Sequence, residues 1–168
     1  RDPVQDAVIR DYAIQHLVAW YEQGAPDAAA APERIRSVLF EAAAGSGTIA
    51  ATALLGLHLL SAEDPALDQD GINRLALRLV CSPEIEAASR ITAIQVCAER
   101  GLKQANPAIQ SVIEAQACIP LRLSALAALA RLGAGQQAQM LGPVEDNHAA
   151  PAGLPVPFPQ SKQMPTAF

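Results

Sequence analysis

Apolar residues recur at three- and four-residue intervals through most of the first 132 positions of this chain. Ile35, Val38 and Leu39 share one side of a helix, as do Ile72, Leu75 and Leu79, because side chains three and four apart stack on one face. This pattern predicts helices over 32–45 and 68–81, with a further one over 106–117. Between them a second pattern occurs four times: "RDYAIQHL" from Arg10, "AATALLGL" from Ala50, "RITAIQVC" from Arg90 and "RLSALAAL" from Arg122. Its central alanines, Ala13, Ala53, Ala93 and Ala125, are separated by 40, 40 and 32 residues. A period near 40 is the mark of stacked helical pairs.

Local punctuation divides these segments. Asp2-Pro3 and Ser82-Pro83 each offer a capping oxygen followed by a proline suited to the first helical position, and each precedes its arginine by eight residues. Gly45, Gly47, Gly101 and Gly133 mark exits or tight turns. The reading is seven helices ending near Leu132. Because the first helix carries the signature of the second member of a pair, its mate lies upstream of Arg1 or is missing. Ala13, Leu17 and Trp20 share a side, as do Ala53, Leu57 and Leu60, so Trp20 is expected to face the core. The alanines admit a neighbouring helix closely, while Leu17, Leu57, Cys97 and Leu129 fill the last position of each copy.

From Pro143 onward the pattern changes. Pro151, Pro155, Pro157, Pro159 and Pro165 forbid a continuous helix, so residues 133–168 read as an extended, Pro-rich tail following a helical domain over 1–132. Leu154, Val156 and Phe158 would project from a stiff strand with little ordering cost, which suits docking in a groove of this chain or of a second copy.

Composition sharpens this picture. With 168 residues, 51% of them apolar and 17% charged, one sizeable core is expected, and the dominance of alanine and leucine over aromatics favours closely packed helices over a sheet. The formal net charge is −5, and Lys103 and Lys162 are the only lysines. Without a basic run to displace counterions, nucleic acid is not expected as a partner. The longest apolar stretch, "TIAATALLGLHLL", falls short of the ~18 to 20 residues of a membrane span. The start at Arg1 in place of Met leans towards a removed upstream segment, as after export, although a cytoplasmic protein trimmed at its start would look the same.

With its Arg-x-x-Ala-x-x-x-Leu helices, best seen in "IRDYAIQHL", "SRITAIQVC" and "LRLSALAAL", the chain resembles the HEAT-repeat family over about residues 2–132. The resemblance implies an all-α, right-handed superhelix, or solenoid, of helical pairs, used as a scaffold for protein or peptide binding. It also implies a ladder in which acidic residues meet Arg10, Arg90 and Arg122; Asp6, Glu84, Glu86 and Glu114 are the available partners, and Ala50 breaks the series.

Candidate contact residues follow from the same register. The position before each core alanine is Tyr12, Thr52, Thr92 or Ser124, a row of hydroxyls. Such hydroxyls commonly bond back to a carbonyl one turn earlier. On an accessible face, the row would offer polar contacts to an extended peptide, with Gln15, His16 and Gln95 beside it.

Conventional catalytic chemistry finds no foothold. His16, His58 and His148 are too dispersed for metal-ligand spacing, and "GSGT" at 45–48 lacks the lysine of a phosphate-binding loop. Cys81, Cys97 and Cys118 match neither a redox pair nor a zinc site and are expected as buried thiols. The expectation is therefore a non-enzymatic protein-interaction scaffold with no cofactor, metal or catalytic residue, its partner a protein or peptide, capable of self-association through the tail or the open first helix. The alternative is a solenoid enzyme of the DNA glycosylase type, to which Asp11, Trp20 and Tyr21 invite comparison. It requires Arg10, Arg34, Arg36, Arg90 and Arg122 to gather on one concave face.

Overall fold

A computed structural model describes residues 3–24, 31–115 and 117–133. Among these it contains seven α-helices and no strand: α1 (Pro3–Glu22), α2 (Ala31–Ala44), α3 (Gly47–Leu60), α4 (Gln69–Cys81), α5 (Ala87–Glu99), α6 (Asn106–Glu114) and α7 (Ile119–Arg131). A single 3₁₀ turn, Lys103–Ala105, leads into α6. The all-helical class read from the sequence is thus the observed one. Residues 134–168, including His148, Leu154, Val156 and Phe158, lie outside the described residues.

Two rows of helices result. Helices α1, α3, α5 and α7, which carry the repeated motif, pack one on the next; α2 lies on α3, α4 on α5 and α6 on α7. Contacts within the second row are sparse. Amphipathicity follows position. Helix α4 buries only Gly71, Ile72, Ala76, Leu79 and Val80, whereas α3, which touches α1, α2, α4 and α5, buries Ala50, Ala51, Ala53, Leu54, Gly56, Leu57 and Leu60 around most of its circumference. A helix enclosed on several sides has little need of a polar face.

Small residues set the closeness of the first row. A Cβ added at Gly56 would lie 2.4 Å from Val18 Cγ2, so the α1–α3 crossing depends on a residue without a side chain. Gly101, with φ +67°, ends α5 in the left-handed conformation; its N–H donates to Ala98 O and that of Leu102 to Cys97 O at 2.9 Å, satisfying two carbonyls the helix leaves open.

Three local expectations are corrected. Ser82-Pro83 does not open α5: Ser82 terminates α4, its hydroxyl donating to Arg78 O at 2.9 Å, and α5 starts only at Ala87 after an intervening turn. Helix α6 ends at Glu114, short of residue 117. Of the cysteines only Cys97 is buried; Cys81 and Cys118, at the last residue of α4 and just before α7, are exposed. Residues at helix ends escape the face that periodicity assigns them.

Two arginines outside the repeated motif make ties between helices, Arg100 from the first row to the second and Arg78 within the second row. Arg100 donates from Nε to Asn73 Oδ1 at 2.6 Å, from Nη1 to Ser61 Oγ at 3.0 Å, and from Nη2 to Gln69 O and Oε1 at 3.2 and 2.7 Å. Arg78 reaches back from α4 to the carbonyls of Ala43, Ala44 and Gly45 at 2.6 to 2.8 Å, neutralising the partial negative charge where α2 ends. The rigid guanidinium fork suits such multiple donation.

Candidate functional site

The motif helices place the predicted hydroxyl row unequally. Between α3 and α5 runs a shallow groove of about 140 Å³, with Thr52 and Thr92 on its two walls and Thr48, Ala51, Leu55 and Ala88 around them. A second groove of about 150 Å³, between α5 and α7, is lined by Gln95, Ala98, Glu99, Ser124, Ala127 and Arg131. Tyr12, Gln15 and His16 are exposed on α1 and enter neither groove. Alanine spacing explains the grooves: small side chains on the motif helices leave furrows on their exposed side.

The hydroxyls differ in what they already bond. Thr52 Oγ1 donates to Asp11 Oδ1 at 2.6 Å, joining α3 to α1, while Gln15 Nε2 donates to Asp11 Oδ2 at 2.9 Å. Asp11 is therefore the polar hinge of this corner, a role that only the pairing of positions 41 residues apart could have suggested. Thr92 lies 3.4 Å from Ala88 O, one turn earlier, and is committed only weakly to it. Ser124 Oγ is buried with no partner among the described residues. A buried hydroxyl without a partner carries a desolvation cost of about 1 to 3 kcal/mol. Any group reaching it from the α5–α7 groove offsets that cost.

Of the expected arginine ladder only the Arg10–Asp6 pair forms, and it lies within one helix. Arg10 pairs with Asp6 of its own helix at 2.6 Å; Arg90 donates to Val80 O at 3.3 Å; Arg122 buries an unpartnered Nε. Of the five arginines of the glycosylase comparison, Arg10 stands on α1, Arg34 and Arg36 on α2, Arg90 on α5 and Arg122 on α7, and Arg36 sits 3.8 Å from Asp64. Trp20 projects into solvent instead of the core.

Elsewhere the ionisable groups serve packing. Tyr21 donates its hydroxyl to Asp64, and this bond, with that from the Ala66 amide and the charge of Arg36, holds the Asp64 carboxyl below its ordinary range. Burial and the same bond push the Tyr21 phenol up. Burial raises the Cys97 thiol to about 12, so it stays protonated. His58 Nε2 contacts Glu99 Oε2 at 2.7 Å, tying α3 to α5. Among the described residues no three His, Cys, Asp or Glu side chains are placed to share a metal ion, and no helix is long and apolar enough to cross a membrane.

Grooves of 140 to 150 Å³ are too small to enclose a drug-sized ligand, which takes about 300 to 1,000 Å³. They fit single side chains of something laid across them. Compared with known proteins, the chain matches no family model, no curated protein and no solved structure.

Proposed function

We propose that the chain is a HEAT-like α-α solenoid acting as a non-enzymatic protein-interaction scaffold, with the motif helices forming the inner face on which a peptide or protein partner lies. Fold alone does not assign a role, and the repeat is short, so the reading rests on the surface. The observation that carries it is the pair of successive furrows across α3, α5 and α7, each combining small side chains with hydroxyl or amide groups: Thr52 and Thr92 in one, Gln95 and Ser124 in the next. Exposed Leu55, on the rim of the first, adds apolar area. An extended peptide crossing the row would place alternate side chains in the two furrows.

Selection of random peptides displayed on phage against the immobilised full-length chain tests this. The expected outcome is an enriched sequence family whose affinity falls at least about tenfold, or 1.4 kcal/mol, when Thr92 and Gln95 are both replaced by arginine. Failure to enrich, or enriched peptides that bind the double variant equally well, removes the proposal.

A further inference from the structure

One register of the repeat changes character along the row. Ala19, Leu59, Glu99 and Arg131 stand at the same distance beyond the core alanines of α1, α3, α5 and α7, so charge enters this register only where α5 meets α7. Both charged residues line the α5–α7 furrow, one on each wall. They do not pair with one another. Glu99 turns back towards α3, where its Oε2 contacts His58 Nε2 at 2.7 Å, and its side chain is still 45% exposed. Arg131 is exposed and joins no carboxylate among the described residues. A carboxylate has roughly four acceptor sites, of which His58 takes one. An anion and a cation therefore look into the same shallow space with bonding capacity to spare.

The signs of these charges select the occupant. A segment bearing only cations gains at Glu99 and is repelled at Arg131, and one bearing only anions meets the reverse; like charges set face to face suppress wrong partners. A segment with one of each gains at both walls. Packed helices stand about 8 to 10 Å apart, and an extended chain advancing about 3.1 to 3.4 Å per residue covers that step in about two or three residues. The extended parts of this chain do not supply the pair. No connection between its helices holds a basic residue two or three positions from an acidic one. Within 134–168 the sole Lys or Arg is Lys162, with Pro159, Gln160, Met164 and Pro165 at those positions. Charge complementarity thus favours a partner protein over the tail or a loop of a second copy.

Resting on the scaffold reading above, we propose that the α5–α7 furrow recognises, in an extended segment of a partner protein, one Lys or Arg and one Asp or Glu two or three positions apart, the basic side chain set against Glu99 and the acidic one against Arg131.

Peptides enriched by display against the full-length chain supply the probe, and their consensus is expected to hold one basic and one acidic residue at that spacing. Exposed ion pairs change affinity by up to about fivefold, so replacing either consensus residue by glutamine should raise the dissociation constant by about that factor. Added salt should narrow the difference. Glu99→Gln keeps an acceptor for His58; it should weaken the consensus peptide about fivefold and make the peptide's basic residue dispensable. Changing the peptide's acidic residue to lysine should cost at least about tenfold against the parent chain, because repulsion is added, and Arg131→Glu should restore it. Helical circular dichroism should be the same in both variants.

An enriched family that depends on Thr92 and Gln95 but lacks the charge pair overturns this inference and leaves the scaffold standing. So does one that binds Glu99→Gln and Arg131→Glu as tightly as the parent chain. Failure to enrich any peptide removes both readings. Affinity that rises at least about tenfold when Leu154, Val156 and Phe158 are replaced by serine assigns the furrow to the chain's own tail, and a dimer dissolved by Arg131→Glu assigns it to a second copy; either result overturns the proposal.

Discussion

Helices α1 and α3 carry the same stripe in different surroundings. Ala13 and Ala53 stand in equivalent positions, each four residues ahead of a leucine, yet the second pair is sealed beneath α2 and the first is open. The difference teaches that the motif specifies which side of a helix is sticky, while burial is decided by whether a neighbour arrives. It also explains why α1 meets α3 through another side, with Val18 against Gly56. Among the described residues α1 thereby keeps an uncovered apolar stripe, whereas those of α3, α5 and α7 are buried.

Truncating the two leucines probes this contrast most strongly. Leu57→Ala should cost about 2 to 5 kcal/mol in chemical denaturation, because it empties a fully buried site, whereas Leu17→Ala should cost less than about 1 kcal/mol. Equal losses would mean that α1 is covered after all. A smaller effect is expected at the α1–α3 contact. Gly56→Ala gains about 1 kcal/mol of helix propensity but overpacks against the rigid Val18 by about 1 to 3 kcal/mol. The net loss should be relieved in the Gly56→Ala/Val18→Ala double variant. Additive losses would show that the two residues do not meet.

Tyr21→Phe tests the polar attachment of the same end. At pH 7 it should cost about 1 kcal/mol, since Tyr21 donates to the ionised Asp64. The Asp64 carboxyl is held below its unfolded value, so its contribution is present above an unfolded pKa of about 4 and is lost as pH falls through the lower folded value. The gap between wild type and Tyr21→Phe should therefore close in acid. At the alkaline end the raised Tyr21 phenol contributes below about pH 10 and ceases to do so as pH rises through its folded value. A gap that stays constant from pH 7 to 3 would separate the two groups. The mildest probe leaves stability untouched: of the three cysteines, Cys81 and Cys118 should react promptly with a thiol reagent in the native chain, and Cys97, its thiol raised to about 12 by burial, only on unfolding.

Much of the helical framework was legible in the sequence because its signals are local. Apolar spacing located α2 and α4 to within a residue or two, and Asp68 caps α4 by accepting from the Gly71 amide at 2.8 Å. Where one local signal had two possible uses, the reading erred: Ser82-Pro83 serves the end of α4, not the start of α5. Trp20 was misplaced for a different reason, since periodicity assigns a face but carries no information on whether another helix covers it. The arginines show the same limit. Arg10, Arg90 and Arg122 hold the motif positions, but of these only Arg90 reaches another helix, with one bond, while Arg78 and Arg100, in no motif, make multiple cross-helix bonds to distant carbonyls and amides. Of the contact residues, the hydroxyl register was visible; the division of Thr52 and Thr92 from Gln95 and Ser124 into separate furrows required the helix packing.

The sparse lateral contacts of the second row have a consequence for cooperativity. Where each helix leans mainly on its immediate neighbours, unfolding free energy is distributed along the array in place of being shared by all of it. Helix α1, held chiefly by α3 and open on its other apolar side, is then the natural place for the first subglobular opening, and its amides should exchange with solvent deuterium well before those of α3 and α5.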